Sequence, residues 1–432
     1  MKFFDWDKAS IKAKEAAFLR PSLTSTMDVR SKVNNIFGQI KKGGDEALSR
    51  LTSQFDGVNL TSPLVEIAQL PNPTLLDEDK EAILQAINNI KSFHEAQIPT
   101  GIKLETQKGV ICEKVWRPIE KVGLYIPGGS APLISTLLML AIPAQIAGCQ
   151  NIQLITPPQK GTDLIDPNIV FAAKYLGFKQ IYLGGGAQAI AALTFGTETI
   201  MPVDKIFGPG NIWVTEAKKL AVSLPQGPAI DMPAGPSEVM VIADNNANAN
   251  VVASDLIAQA EHDPLAQAIL VSSSREVLEN VGAEIITQLE TLPRKDIAQK
   301  SLENAHFICI ENEYQAIEII NKYAPEHLIL NLRSTEKLLP KIMNAGSIFV
   351  GPYTAESAGD YASGTNHVLP TSGYAKNHSG LGTDAFMKSM TIQTMTKEGL
   401  NDLGPKIERL ARLEGLEGHA RAITIRRESL NQ

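Results

Sequence analysis

The sequence predicts an α/β protein made of two tandem units, each with a parallel sheet covered by helices. Short apolar runs alternate with helical stretches from Lys121 to Phe195, and a second alternation extends over residues 239–351. A Gly- and Pro-rich segment, residues 225–236, separates the two. Strands that alternate with helices in this way form parallel sheets, and a chain of 432 residues is long enough for two such domains.

Each unit can be divided into its expected elements. In the first unit the strands are VGLYIP, NIQLITP and KQIYLGGG, and the helices are 133–147, 170–176 and 187–195. In the second unit the strands are VMVIAD, AILVSSS, HFICI, HLILNL and GSIFVG, and the helices are 249–261 and 275–289.

The two ends of the chain are expected to be small helical segments. Residues 1–24 indicate a helical arm, and residues 27–55 and 77–96 have the pattern of surface helices. The tail, residues 385–432, is predicted to form helices that end in a short strand, AITIRR. A segment of this size buries little core alone, so we expect it to dock on another surface.

Composition excludes several classes of protein. With 44% hydrophobic and 20% charged residues the chain is globular, and a net charge of -7 without Lys/Arg clusters argues against nucleic acid as partner. The acidic N-terminus does not resemble a secretory signal, and the longest apolar run, Pro132 to Cys149, is interrupted by polar residues and proline. We expect no membrane span. Three widely spaced cysteines offer no disulfide framework, which favours the cytoplasm.

The segment SAGDYASGTNHVLP, from Ser357 to Pro370, is the most informative in the chain. It holds a carboxylate, an imidazole, an amide and several hydroxyls, and its few apolar residues follow neither a helical nor a strand period until Val368. Such a polar segment is typical of a loop that forms a functional site, and is unlike a packing element.

Three pairs of polar residues are further candidates for chemistry. Gln259 and His262 share a helix face and form half of a metal site, or else a capped helix end with a hydrogen-bonded histidine. Glu326 and His327 precede a strand, where they form a proton-transfer pair or a surface turn. Glu414 and His419 are five residues apart, which favours two solvated side chains.

Glycine-rich turns indicate a ligand cleft. The sequence Gly184-x-Gly186-x-x-Ala189 follows a strand and opens a helix, which is the geometry that brings backbone N–H groups to a pyrophosphate. The nearest acid, Asp204, precedes the next apolar run instead of closing it, so the match to a dinucleotide fingerprint is incomplete. With the turns at 122–132 and 205–211, these loops form one wall of a cleft or are simply tight turns.

Taken together, the motifs VGLYIPGGSAP, KIFGPGN, DMPAGPSE, DLIAQAEHDP, PEH and SAGDYASGTNHVLP closely resemble the histidinol dehydrogenase family, over essentially the whole chain. The resemblance implies two tandem Rossmann-like, three-layer domains as in aldehyde dehydrogenases. It also implies the last steps of histidine biosynthesis: zinc-dependent oxidation of L-histidinol to L-histidine through L-histidinal, with reduction of two NAD.

The resemblance also implies roles for individual residues. The implied zinc ligands, which also contact the substrate, are Gln259, His262, Asp360 and His419. The implied catalytic residues are His327, as the base in both oxidations, and Glu326, which activates water between them. The further substrate contacts are Ser237, His367 and Glu414, and the NAD contacts are Tyr125, Gln188 and Asn211. His378 has no matching role.

Domain boundaries and subunit structure follow from the same resemblance. Residues 105–236 are expected to bind NAD, and residues 25–104 with 237–384 to hold the substrate and zinc. Residues 385–432 are expected to pack on the second subunit of a homodimer, so that Glu414 and His419 complete the partner's site.

Three alternatives remain open. A cysteine-dependent NAD aldehyde dehydrogenase would use Cys112 or Cys149 as nucleophile, although both follow apolar residues as buried structural thiols do. A zinc hydrolase would need no NAD. A non-catalytic protein with two α/β lobes would bind histidinol without reducing NAD.

Overall fold

The computed structural model describes residues 1–21, 26–128, 133–233 and 235–430, without the side chains of residues 26 and 27. Parts of two predicted motifs, residues 129–132 and Ala234, lie outside the described residues. None of the described helices combines the length and the apolar character that crossing a membrane requires.

The elements follow one another in this order. The strands are β1 (Lys2–Asp5), β2 (Leu64–Glu66), β3 (Ile102–Gln107), β4 (Val110–Pro118), β5 (Lys121–Tyr125), β6 (Asn151–Thr156), β7 (Gln180–Leu183), β8 (Lys205–Phe207), β9 (Ala229–Ile230), β10 (Glu238–Ala243), β11 (Gln267–Ser272), β12 (His306–Cys309), β13 (His327–Asn331), β14 (Ser347–Val350) and β15 (Met387–Met395). The helices are α1 (Ile11–Ala16), α2 (Thr26–Asp56), α3 (Asp77–Glu95), α4 (Ile134–Ala147), α5 (Pro167–Tyr175), α6 (Gly186–Phe195), α7 (Ile212–Ser223), α8 (Ala249–Ala260), α9 (Arg275–Leu289), α10 (Lys295–Leu302), α11 (Glu313–Tyr323), α12 (Glu356–Tyr361), α13 (Lys397–Leu413) and α14 (Glu417–Glu428).

The first sheet has the order β2-β7-β6-β5-β8-β9. Its strands are parallel except for β2, which pairs antiparallel with β7. The chain proceeds outward from β5 in both directions, so a crevice opens at the carboxyl ends of β5 and β8. The apolar run predicted to be a buried helix forms α4, which is buried on nearly all sides.

The second sheet has the order β1-β12-β11-β10-β13-β14 and is parallel throughout. In the neighbouring strands β10 and β13, His327 is in register with Val239. Two parallel sheets with helices on their faces confirm the predicted fold class.

Two terminal segments differ from their predicted secondary structure. The N-terminal arm is not purely helical, because β1 adds an edge strand to the second sheet. Helix α2 packs on α6 and α7, and α3 packs on α4 of the first unit. Helix α3 also contacts the segment before β15, since Asn89 Nδ2 donates to the carbonyl oxygen of Ala362 at 2.8 Å. The assignment of residues 25–104 to the substrate and zinc domain stays a prediction. The predicted strand AITIRR was wrong, because residues 422–427 lie inside α14.

The C-terminal segment forms a third structure with little core. Strand β15 joins β4 and β3 in an antiparallel sheet, and most of its residues are exposed. Helices α13 and α14 pack on each other and meet the body at the β3–β4 hairpin, where Gln107 Nε2 donates to Asp402 Oδ2 at 2.5 Å. This strand was not predicted.

A buried ion pair joins the loops of the first unit. Lys218 Nζ on α7 pairs with Asp231 and also donates to the carbonyl oxygen of Gly208 at 2.9 Å. Asp231 Oδ2 in turn accepts from the Gly208 N–H at 2.8 Å. Both charged side chains are almost fully buried, so each depends on the other for its electrostatic stabilisation.

Removing one member of this pair should destabilise the fold. We expect Lys218→Met to lower the free energy of unfolding by about 3 kcal/mol, because Asp231 would stay buried without its cation. The adjacent Lys219, whose side chain is 55% exposed, provides the control: Lys219→Met should change stability by less than about 0.5 kcal/mol. Equal losses in urea unfolding for the two variants would contradict this account.

Candidate functional site

The predicted catalytic pair lies at the amino edge of the second sheet, held by the backbone of one residue, Glu238. Glu326 Oε2 accepts from the backbone N–H of Glu238 at 2.8 Å, and His327 Nδ1 lies 3.1 Å from the carbonyl oxygen of Glu238. Both side chains are buried. Since Glu238 opens β10 and His327 opens the neighbouring β13, strand pairing itself brings the acid and the imidazole together.

The hydrogen bond at Nδ1 determines which nitrogen of His327 can act as a base. A carbonyl oxygen only accepts, so Nδ1 carries the proton and donates it to Glu238. In the neutral ring Nε2 then holds the free lone pair. Nε2 is buried without a hydrogen-bond partner of good geometry among the described residues, and the nearest acid oxygen, Asp360 Oδ1, is 3.4 Å away.

Three carboxylates surround this imidazole. Besides Asp360, Glu326 Oε2 lies 3.7 Å and Glu356 Oε1 lies 3.8 Å from His327 Nδ1. Burial raises the pKa of Glu326 and that of Glu356 to about 8 each, against the opposing charge of His327. Burial alone would lower the pKa of His327, but the surrounding acids outweigh it and raise this pKa well above its ordinary value.

Gln259 lies at the end of α8, fully buried beside the same groups. Its amide is satisfied when the nitrogen faces Glu356 Oε1, at 3.1 Å, and the carbonyl oxygen of Glu238, at 3.2 Å. His262 follows one turn later, as the more exposed neighbour of this cluster.

The cluster fits a divalent cation. One ligand atom each of His262, Glu356 and Asp360 lies within 4.8 Å of the others, and Glu356 Oε2 is buried without a hydrogen-bond partner among the described residues. Imidazole, carboxylate and amide oxygen are ligands that zinc accepts, and a cation would balance the crowded acids. Of the four implied zinc ligands, His262 and Asp360 lie in this group of ligand atoms, and Gln259 contacts its member Glu356.

Glu356 is the site residue that the sequence analysis missed. It opens α12 and is four residues before Asp360, so the two carboxylates share one helix face. The signal was present, since an acid directly precedes the polar segment Ser357–Pro370 at this helical spacing.

The segment Ser357–Pro370 itself is partly helical, not a loop throughout. Its first residues belong to α12, where a Cβ on Gly359 would come within 2.7 Å of the Phe349 ring. Gly359 therefore allows α12 to lie close to β14. Gly364 has φ +114, a conformation that L side chains rarely adopt, and the chain turns there.

His367 is held between the two units. Its Nδ1 lies 2.9 Å from the carbonyl oxygen of Asp360, and its Nε2 lies 3.2 Å from the hydroxyl of Thr136 on α4. Nδ1 therefore donates and Nε2 accepts, and burial lowers the pKa of the ring. Ser237, the residue before β10, is half-buried, and its carbonyl oxygen accepts from the Gln267 N–H at 3.0 Å.

The other two implied site residues do not join the cluster within this chain. Glu414 ends α13 and His419 lies in the first turn of α14, and both are exposed. His419 is not among the residues whose ligand atoms come together in the described part of the chain.

A cavity of about 800 Å³ lies at the carboxyl edge of the first sheet. Tyr125, Gln188 and Asn211, the expected NAD contacts, all line it. The hydroxyl of Tyr125 accepts from the Gly186 N–H at 3.1 Å, and burial raises the pKa of this phenol to about 12. Asn211 caps α7 by accepting from the N–H of Trp213 at 3.0 Å.

Cys149, one of the two candidate nucleophiles, is not activated. Cys149 is buried, and burial raises the pKa of its thiol to about 11, which opposes formation of the thiolate. Cys112 lies within β4, paired with Gln393 of β15. This placement disfavours the cysteine-dependent alternative.

Comparisons with a family model and with curated proteins point to the same family. A family model described as "Histidinol dehydrogenase" matches residues 19–427. The chain is 50% identical over 434 aligned residues to a histidinol dehydrogenase of Campylobacter jejuni, covering 100% of both chains, and 47% identical to one of Aliivibrio fischeri, covering 100% of this chain and 98% of the other.

Solved structures agree. The crystal structure of histidinol dehydrogenase from Elizabethkingia anophelis matches with a TM-score of 0.94 and 46% identity over 100% of this chain and 99% of the other. A succinate-semialdehyde dehydrogenase from Burkholderia pseudomallei, 12% identical with a TM-score of 0.50 over 92% and 94% of the chains, shares the fold.

The buried acids predict a pH-dependent effect on stability. A folded-state pKa of about 8 for Glu326, raised from 4.5, means that the native protein loses stability as pH rises between these values. Glu326→Gln has no such proton to lose. In metal-free protein we expect its stability relative to wild type to increase by at least about 1 kcal/mol from pH 5 to pH 8.

Urea unfolding at several pH values measures this difference. Glu303→Gln, at an exposed position after α10, is the control and should follow the wild-type curve at every pH. A constant offset between Glu326→Gln and wild type across the range would show that Glu326 is not protonated in the native state.

Proposed function

The chain belongs to the histidinol dehydrogenase family of NAD-dependent oxidoreductases, and from this premise we propose that it oxidises L-histidinol to L-histidine in two steps, with zinc and two NAD. The observation that carries the proposal is the cluster around His327, where a free imidazole nitrogen, an acid of raised pKa and a set of cation ligands converge. The proposed intermediate is L-histidinal.

His327 acts as the base in both oxidations. Its Nε2 is the nitrogen that holds the lone pair when the ring is neutral, and the Glu238 carbonyl oxygen fixes the ring through Nδ1. Nε2 therefore accepts the hydroxyl proton, first of the alcohol and then of the aldehyde hydrate. NAD, when bound, accepts the hydride that leaves the same carbon in each step.

Glu326 activates the water that hydrates the aldehyde. Its carboxylate is held by the Glu238 N–H, and a pKa of about 8 makes the ionised group a stronger base than an ordinary carboxylate. Hydration supplies the oxygen of the product and produces the hydroxyl group that the second oxidation requires. No covalent enzyme intermediate is needed.

Zinc would be held by Gln259, His262, Asp360 and the partner subunit's His419. When bound, it supplies a positive charge that orients the imidazole and amine nitrogens of the substrate. Gln259 presents its amide oxygen because its nitrogen bonds to Glu356 and to the Glu238 carbonyl oxygen. Glu356 thus orients Gln259, one of the proposed zinc ligands.

A homodimer completes each site. The α13–α14 hairpin is exposed in the single chain, with Leu410 63% and Leu413 65% exposed, and β15 presents further apolar side chains. Exposed apolar residues on a segment with little core of its own favour packing against a second copy. We propose that Glu414 and His419 reach the partner's cluster in this way, with Glu414 at the substrate amine.

The yield of NADH per molecule of histidinol tests the reaction. We expect two NADH per histidinol for wild type, about one for Glu326→Gln, which should stop at the aldehyde, and almost none for His327→Asn. Spectrophotometry at limiting histidinol measures all three. Stripping the metal should abolish NADH formation, and zinc should restore it.

Two results would contradict the proposal. A yield of zero for metal-loaded wild type would exclude the reaction, and a yield of two for Glu326→Gln at an undiminished rate would exclude its role in hydration. Cys149→Ser is the control for the cysteine-dependent alternative and should keep the wild-type yield.

Mixing inactive variants tests the shared site. When His419→Asn and His327→Asn subunits exchange at random, half of the dimers are mixed, and each mixed dimer has one intact site. We therefore expect recovery of about a quarter of the wild-type sites. Asp360→Asn mixed with His327→Asn is the matched control and should recover nothing, since both changes damage the same part of each site.

Native mass spectrometry of differently tagged subunits verifies the exchange. If mixed dimers form but activity does not recover, each site lies within one chain.

A further inference from the structure

Asp56, the last residue of α2, lies in the wall of the 800 Å³ cavity without a role in the reaction described above. Its Oδ2 is buried and makes no hydrogen bond to the described residues. Burial raises the pKa of this carboxyl, so the protein holds an acid here at a cost in stability. An unpartnered carboxylate oxygen in a cavity wall is suited to accept hydrogen bonds from a ligand.

The neighbours of Asp56 are the glycines that open α6. A Cβ on Gly185 would lie 3.4 Å from Asp56 Oδ1, and the N–H of Gly186 already donates to the Tyr125 hydroxyl. At the start of this helix, where the glycine pattern resembles a pyrophosphate site, a phenol therefore takes the Gly186 N–H and a carboxylate lies nearby. A diphosphate would be repelled by Asp56 at this point.

A ribose, unlike a diphosphate, is attracted to a carboxylate. Its vicinal hydroxyls are neutral donors, and one carboxylate accepts from both. The charged part of a dinucleotide has other partners in the same wall, since the exposed Lys32 and Lys160 also line the cavity. Lys32 is hydrogen-bonded to Asp28 and lies 6.0 Å from the ring of Trp213.

The residues that line the cavity indicate which half of a dinucleotide binds near Asp56. Ile36, Leu51, Phe55 and Trp213 provide apolar surface that suits a purine. None of the acids of the His327 cluster is part of the lining, although the nicotinamide must reach that cluster for hydride transfer. The cavity near Asp56 therefore fits the adenosine half.

We propose that Asp56 binds the 2′- and 3′-hydroxyls of the adenosine ribose of NAD and excludes the 2′-phosphate of NADP. This inference rests on the proposed function, with NAD bound in the cavity that Tyr125, Gln188 and Asn211 line. The acid comes from α2, ahead of the first sheet in sequence, and does not follow the glycine turn as in the usual dinucleotide fingerprint. Asp56 therefore replaces the acid of the usual fingerprint, a role that Asp204 does not fill, as the partner of the ribose hydroxyls.

The test compares Asp56→Asn with wild type in binding NAD and NADP, by calorimetry without histidinol. Wild type should bind NAD at least about a hundredfold more tightly than NADP. Asp56→Asn should weaken NAD binding about tenfold and bring the two dissociation constants within about tenfold of each other, because the charge that repels the 2′-phosphate is gone. 5′-AMP and 2′,5′-ADP, which lack the nicotinamide, should show the same change in preference.

The control is Glu46→Gln, which removes one negative charge from an exposed position on the same helix. It should leave both dissociation constants within about twofold of wild type. Asp56→Asn should also unfold at no lower temperature than wild type, because Oδ2 has no hydrogen bond within the described chain to lose.

Fluorescence separates failure of this inference from failure of the cavity assignment. NAD should quench the emission of Trp213, and Trp213→Phe should remove that quenching. If Trp213 responds to NAD but Asp56→Asn retains the wild-type preference, Asp56 does not bind the ribose. If NAD binds without a response of Trp213, the cavity is not the NAD site, and this inference is overturned while the proposed reaction is not.

Discussion

The two backbone hydrogen bonds of Glu238 are the interaction on which the site depends. Glu238 acts through its main chain and its side chain. Its N–H holds the carboxylate of Glu326 and its carbonyl oxygen holds the imidazole of His327, while its side chain pairs with Arg20 and accepts from the Ser372 N–H. Because β10 and β13 are neighbours in a parallel sheet, these contacts are as rigid as the sheet itself. The placement of acid and base is thus a property of strand pairing, not of flexible loops.

Around this rigid pair the protein places more carboxyl groups than can all be ionised in a buried site without a compensating cation. Glu326, Glu356 and Asp360 surround one imidazole, and burial raises the pKa of the two glutamates. Such a cluster keeps protons or binds a cation, and the ligand types present favour zinc. Where the family's chemistry needs an imidazole that is neutral and basic, a cation beside Asp360 counters the acids that otherwise keep His327 protonated.

Local sequence patterns predicted the parallel sheets, and the motif segments contained most residues of the cluster. What they could not predict depends on distant partners. The pattern of AITIRR suits a strand, yet it forms α14 because Ile423 packs where Gly404 of α13 lacks a side chain and Arg427 bonds to Glu408 at 2.8 Å. Helix α2 has an apolar face that does not specify which sheet covers it. Glu356 can be recognised as a site residue only in the folded protein, where α12 places its carboxyl group 3.8 Å from His327 Nδ1.

The N-terminal arm has a consequence for how the protein acquires its structure. Lys2 pairs with His306, and Arg20 reaches Glu238 and stacks on the ring of Tyr323, 3.9 Å from its centroid. Lys2 and Arg20 are synthesised more than 200 residues before these partners, and contacts of such long sequence separation form slowly. The support behind the Glu238 side chain is accordingly among the last parts of the fold to form, and extensions or deletions at the N-terminus act directly on it.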